Sequence, residues 1–225
     1  MKHNPFVTNG LSIAFGLLFL LSLAGQAFSG VAYFNEGQIA SGLEEISFWQ
    51  YVTSSSFAVD VSENWQSEYL QFLLFIVLTV WLVQKGSPES KEIEKRGVQS
   101  DEEELIGQFS KNESPKWAKA GGFRTAIFST SLGLVMGTVF VLSWLVQSVT
   151  GFSAFAEQQL ASLQDPGTWA EYVVSPEFWN RTLQNWQSEF LAVWSMVILS
   201  VYLRQRGSPE SKPVGEAHDT TGASN

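Results

Sequence analysis

The residues best suited to chemistry in this chain lie in a five-residue segment that occurs twice. Asn64-Trp65-Gln66-Ser67-Glu68 returns unchanged at Asn185-Trp186-Gln187-Ser188-Glu189. Each glutamate borders an apolar stretch, where an ionised group is costly unless it is paired or hydrated. The two carboxylates could therefore form an ion or proton site between the copies. The candidate polar site comprises Asn64, Gln66, Glu68, Asn185, Gln187 and Glu189.

A structural interpretation of the same segment stays open. Asn64 and Ser62 could cap a helix, and Trp65 could lie in the aromatic belt at a membrane interface. Glu68 would be stabilised by the positive end of the helix dipole. Capping tolerates many substitutes, however, and does not explain five consecutive identical residues.

A second repeated segment follows each apolar stretch, Gly86–Lys91 with its copy Gly207–Lys212, both reading GSPESK. Glycine and proline suit a helix stop, with Gly86 as the left-handed residue that closes the helix. A stop does not require the serines, the glutamate and the lysine to recur. The copies could instead pack together, with each glutamate paired to the lysine of the other copy, or form a docking peptide.

Four apolar blocks predict four membrane helices, because about 20 apolar residues cross a hydrocarbon core roughly 30 Å thick. The predicted helices span about 11–31, 65–83, 126–150 and 186–203. Small residues at 24–30 could also mark the cleavage region of a signal peptide. The first block matches the internal segment 132–152 at an offset of 121 residues, so we predict a retained helix.

The distribution of Lys and Arg predicts the orientation in the membrane. Of the 13 basic residues, all except Arg181 fall in the termini or in the segment between the second and third blocks. Both termini and this linker should be cytoplasmic, and the two acidic, aromatic loops should lie outside. Those loops should carry short amphipathic helices, either on the membrane surface or packed on their own helix ends.

The predicted fold is an all-α membrane protein of four transmembrane helices in two parallel hairpin repeats, related by an axis along the membrane normal. The predicted segments are a first repeat at 1–91, a solvated linker at 92–124, a second repeat at 125–212 and a disordered tail at 213–225. Ser12 and Gly16 in the first helix match Gly133 and Gly137 in the third. Such pairs permit close approach, so we predict contact between these helices within the chain or across a dimer.

The composition excludes several classes of function. The chain has no cysteine, which excludes disulfides and thiolate chemistry, and its two histidines lie in the tails. A net charge of −9 without a basic stripe argues against nucleic acid. No phosphate loop, nucleophile elbow or metal-binding motif occurs. We therefore expect no enzyme, no cofactor and no metal.

The doubled NWQSE(F/Y)L and (K/R)GSPESK segments resemble an uncharacterised family of small bacterial membrane proteins, a domain of unknown function. The resemblance covers nearly the whole chain and implies an integral membrane protein. It supplies no activity, substrate or catalytic residue.

These observations favour a structural or interaction protein of the cytoplasmic membrane, because the helix interiors lack charged groups. The alternative is a small transporter or channel that uses Glu68 and Glu189 at the repeat interface. An intramembrane enzyme has the least support, since no nucleophile–base set is present. The expected partners are the lipid bilayer and further copies of the chain, and no protein partner is indicated.

Overall fold

The computed structural model describes residues 5–222, which form helices and loops without a strand in that range. The α-helices are α1 (Pro5–Thr8), α2 (Gly10–Ala40), α3 (Phe48–Val52), α4 (Ser55–Leu78), α5 (Lys116–Ala120), α6 (Gly122–Ser129), α7 (Ser131–Ala161), α8 (Trp169–Val173) and α9 (Pro176–Tyr202). The linker has single 3-10 turns at Ile93–Lys95 and Gly107–Phe109. The predicted all-α class is confirmed. The prediction that both chain ends are cytoplasmic concerns residues 1–4 and 223–225, which lie outside the described residues.

Two helices, α2 and α7, are long and apolar enough to cross a membrane. Each has 31 residues, and only 6% and 11% of their most apolar windows are buried. The core helix of a soluble protein would be mostly buried. In α4 and α9, apolar residues fill only the half that follows the NWQSE segment, so the same measure does not select these two helices.

The helix bounds recur at the offset of 121 residues. α7 begins and ends 121 residues after α2, α8 does so relative to α3, and α9 begins 121 residues after α4. The chain nevertheless folds into two compact units that both draw on the two halves of the sequence. One unit contains the residues up to Ser62 and Val146–Tyr172, and the other contains Glu63–Leu145 and the residues from Val173 onward.

In the first unit, the outer loops pack against their own helices. Tyr51 of α3 is buried against Gly30 of α2, so closely that a Cβ at Gly30 would overlap the phenol. Tyr172 of α8 is buried in the same way against Gly151 of α7. Glycine leaves room for each ring, so these tyrosines pack on their own helices. Whether the loops also lie on a membrane surface stays a prediction.

The helices α4 and α9 begin ten residues before the predicted starts. The hydroxyls of Ser54 and Ser175 each accept a bond from the backbone N–H three residues on, both at 3.3 Å. These serines are the N-caps. The prediction that Asn64 and Ser62 cap the helix is therefore wrong, since both lie inside α4.

The same two helices end differently. α4 ends at Leu78, where the Thr79 hydroxyl donates to the backbone carbonyl four residues back at 2.6 Å. α9 continues to Tyr202, and the Arg204 guanidinium donates to the carbonyls of its last turn. Gly86 has the predicted left-handed φ of +88°. It lies eight residues beyond α4, however, so the prediction that it closes the helix is wrong.

The other two long helices also depart from the predicted limits. α2 and α7 extend to Ala40 and Ala161, beyond their apolar blocks. The predicted third helix is interrupted at Thr130, between α6 and α7. The hydroxyls of Ser129, Thr130 and Ser131 all donate to carbonyls in the preceding turn, a pattern that bends helices.

Candidate functional site

The two identical NWQSE segments occupy different environments within the second unit. On α4, Gln66 and Ser67 are fully buried, at 0% and 1% exposure. On α9, the equivalent residues Gln187 and Ser188 are exposed. The first copy is therefore part of the protein interior, and the second copy presents the same side chains at the surface.

Gln66 links the two copies directly. Its Oε1 accepts a hydrogen bond from Nε1 of Trp186 at 2.8 Å, and its Nε2 donates to the backbone carbonyl of Glu63 at 3.0 Å. The Glu63 carboxylate pairs with Nε of Arg181 at 2.8 Å. Arg181, the one basic residue predicted to lie outside, thus has an acidic partner on α4. We call these four residues the α4–α9 clasp.

The remaining members of the predicted polar site are less tightly held. Asn64 and Glu68 are exposed, whereas Asn185 and Glu189 are half-buried. Asn185 donates to the Arg181 carbonyl at 3.0 Å. The charge of Glu68 reaches Glu189, so the two carboxylates lie within electrostatic range of each other. The structure thus places Asn185 beside the clasp, of which Gln66 is a member, and leaves Gln187 outside it.

A cluster of indole rings surrounds the clasp, and the sequence did not single it out. Trp144 of α7 lies 5.8 Å from Trp186 and 6.1 Å from Trp179, measured between ring centroids. Its Nε1 is buried without an acceptor among residues 5–222. Because the rings contact each other directly, the cluster is packing rather than a binding cage. Its only signal in the sequence is the abundance of tryptophan.

The two small-residue pairs have different surroundings, and their contact within the chain or across a dimer stays a prediction. A Cβ at Gly137 would lie 3.6 Å from Leu73, and one at Gly133 would lie 4.0 Å from Val77, both on α4. Gly16 has no described atom within 4 Å of its Cβ position, and Ser12 is exposed. The glycines of α7 therefore accommodate branched side chains of α4 within the second unit.

The two GSPESK segments form the same loop. In the first copy, the Gln84 N–H donates to Oγ of Ser90 at 2.8 Å, and the Glu89 N–H donates to Oγ of Ser87 at 3.3 Å. The second copy repeats both bonds, at 2.9 and 3.2 Å, with Gln205, Ser211, Glu210 and Ser208. The serines recur because each satisfies a backbone donor of the loop.

The lysine that ends each segment binds the chain that follows it. Lys91 Nζ donates to the Gly97 carbonyl and to Gln99 Oε1, both at 3.0 Å. Lys212 is only 2% exposed and donates to three carbonyls of the tail, at 2.9–3.1 Å. Residues 213–222 lie in turns and loops that these bonds contact, and residues 223–225 lie outside the description. The disorder of the tail stays a prediction.

The glutamates of the two loops meet each other instead of the lysines. The Glu89 carboxyl hydrogen-bonds the Glu210 carboxyl. Burial, followed by the hydrogen bond to Glu210 and the negative charge of Glu210, raises the pKa of Glu89 to about 7. The predicted glutamate–lysine pairs across the copies are therefore wrong, since both lysines are held by the chain that follows them.

A groove opens between α4 and α9 beside this acid pair, with a volume of about 380 Å³. We call it the α4–α9 groove. Its walls are mainly apolar and include Leu74, Phe75, Leu78, Val193, Trp194 and Ile198. Glu89 lies at the loop end, beside Ser87 and Ser90. Sequence reasoning missed the groove because it depends on the separation of two helices.

The chemistry of these residues favours binding and packing. No group of three or more His, Asp or Glu residues that could hold a metal ion occurs in the part of the chain that the structure describes.

Neither the curated proteins nor the solved structures give a match to this chain. The model of one family, a domain of unknown function designated DUF6766, matches residues 2–223. The match confirms the resemblance expected from the doubled segments, and the chain belongs to the DUF6766 family.

Proposed function

We propose that this chain is a structural or interaction protein of the cytoplasmic membrane, built from two parallel hairpin repeats. The observation that carries the proposal is the exposure of α2 and α7, whose apolar surfaces have almost no cover from the chain itself. Lipid or another membrane protein would provide that cover. The proposal includes no catalytic step and no cofactor.

In this proposal α4 and α9 also cross the membrane. Their 24 and 27 residues correspond to about 36 and 40 Å of helix. Either length exceeds the hydrocarbon core of roughly 30 Å. The polar first half of each helix would lie near the headgroups, where the clasp supplies internal partners for Gln66, Glu63 and Arg181. The exposed pair Ser12 and Gly16 offers a face for close approach by a second copy.

The proposed topology predicts opposite labelling of two introduced cysteines. The chain has no native cysteine, so Ser41→Cys and Ser100→Cys are single reporters, and both positions are exposed. In intact cells, the Ser41→Cys protein should react with an impermeant maleimide, and the Ser100→Cys protein should react only after the membrane is opened. Extraction with alkaline carbonate should leave both in the membrane fraction.

Labelling of Ser100→Cys in intact cells would show that the orientation is the reverse of the proposed one. Release of the protein by carbonate would exclude a membrane-spanning structure altogether. The structural role itself predicts that purified protein in liposomes carries no ion or solute flux.

A second candidate function, a small proton-linked transporter, is favoured by the proximity of Glu68 and Glu189, which come from the two copies. In this alternative, the double variant Glu68→Gln, Glu189→Gln should lose the flux and keep the wild-type thermal unfolding temperature. Glu171→Gln, an exposed change of the same kind in the outer loop, should retain the flux. Absence of flux from the wild-type protein in liposomes would eliminate this alternative.

A further inference from the structure

The α4–α9 groove and the acid pair at its end have no part in the proposed structural role. We propose that this groove binds an amphiphile with a cationic ammonium head, with its alkyl chain between α4 and α9 and its head at Glu89 and Glu210. The inference does not depend on the membrane topology, because all of the residues involved lie in the second unit.

The shape and lining of the groove suit the alkyl chain. Small-molecule sites are mostly apolar concavities of about 300–1,000 Å³ with few polar groups, and the groove has about 380 Å³. Its apolar walls come from the second half of α4 and from α9. Trp194 lines the groove and remains exposed there, so a bound chain would cover an indole face.

The acid pair selects the head by charge. Glu89 meets another carboxyl, Glu210, and the two lysines of the same loops are engaged elsewhere, Lys91 with Gly97 and Gln99, and Lys212 with tail carbonyls. Neither lysine therefore neutralises the pair. Ionised carboxylates only accept hydrogen bonds, so this end of the groove attracts an ammonium group and repels phosphate or sulfate.

Binding exchanges one cation for one proton. Below pH 7, arrival of the ammonium head breaks the carboxyl O–H bond between Glu89 and Glu210, the proton passes to solvent water, and no other covalent bond changes. Glu210 is the charged group that acts on Glu89 from the facing loop. Because the Glu89 pKa is raised to about 7, the Glu89 carboxyl is protonated below that pH and ionised above it. The affinity for a permanently charged ammonium should therefore increase with pH.

The test uses the full chain in dodecyl maltoside and radiolabelled dodecyltrimethylammonium as the probe. The detergent and the probe have equal alkyl chains, so the measurement reports the head. Equilibrium dialysis against protein-free micelles should show one saturable site per chain. The dissociation constant should rise about tenfold from pH 8 to pH 6, as expected for one proton with a pKa near 7. Glu89→Gln should weaken binding at pH 8 and abolish the pH dependence.

Controls separate this result from general effects of charge and folding. Glu102→Gln removes one charge from the exposed linker and should leave the dissociation constant unchanged. Trp194→Ala should weaken binding at both pH values and preserve the pH dependence, which tests the groove even if the Glu89 variant fails to fold. Absence of saturable binding, equal affinity for dodecyl sulfate, or an unchanged pH profile in Glu89→Gln would each overturn the proposal.

Discussion

Lys212→Met should release residues 213–222 from the protein and leave the helices folded. Lys212 is almost completely buried and donates to the carbonyls of Ala217, His218 and Thr220 at 3.0, 2.9 and 3.1 Å. Hydrogen bonds from charged groups contribute about 1.5–3 kcal/mol each and do not add fully, so a loss of about 2–4 kcal/mol is expected. Methionine retains the apolar stem but cannot donate, which leaves the three carbonyls without this partner.

The same change in the first copy is the matched control. Lys91 is half-buried and has two acceptors, Gly97 and Gln99, so Lys91→Met should loosen only the segment 92–99. Hydrogen exchange followed by mass spectrometry should show at least tenfold faster exchange at 213–222 for Lys212→Met alone. Unchanged exchange there would mean that the lysine does not hold the tail.

The sequence predicted the helical class well, because four apolar blocks and an ungapped internal match leave few alternatives. It misplaced the helix starts for an identifiable reason. The caps Ser54 and Ser175 lie eleven residues before the predicted starts, and Pro176 follows the second cap at the first helical position. That serine–proline signal was present but lay outside the apolar window that guided the prediction.

The roles of the GSPESK residues could not be predicted from their types alone. Opposite charges at recurring positions suggested that Glu89 would pair with Lys212. Lys212 binds backbone carbonyls, which every residue carries whatever its side chain. No pattern of side chains therefore indicates them. Recurrence correctly marked the serines as important, and only the loop geometry shows that they accept backbone N–H groups.

Because the two NWQSE segments are identical, their own residues cannot indicate that they lie in different environments. The difference between the NWQSE copies lies in the residues before them. Glu63 of the first copy corresponds to Gln184, and Arg181 of the second corresponds to Asp60, so exchanging the two copies would not reproduce the Glu63–Arg181 ion pair. The ion pair lies beside the Gln66–Trp186 hydrogen bond, since Gln66 also donates to the Glu63 carbonyl.

Gln66→Leu should therefore destabilise the protein by about 1–3 kcal/mol, whereas Gln187→Leu should change the free energy of unfolding by less than about 0.5 kcal/mol. Leucine at position 66 leaves the Trp186 N–H without its acceptor in a buried site. At position 187 the side chain is exposed, and the substitution affects only solvent-facing surface. Unfolding of purified protein in mixed micelles with increasing dodecyl sulfate would measure both values.

A double-mutant cycle with Trp186→Phe isolates the hydrogen bond from the change in packing. Phenylalanine removes the indole donor, so Gln66→Leu in that background should cost less than in the wild type, with a coupling of about 0.5–3 kcal/mol. The same cycle between Gln187 and Trp186 should give a coupling near zero. Equal costs for Gln66→Leu and Gln187→Leu would contradict the observed asymmetry and restore the symmetric polar site that the repeated sequence suggests.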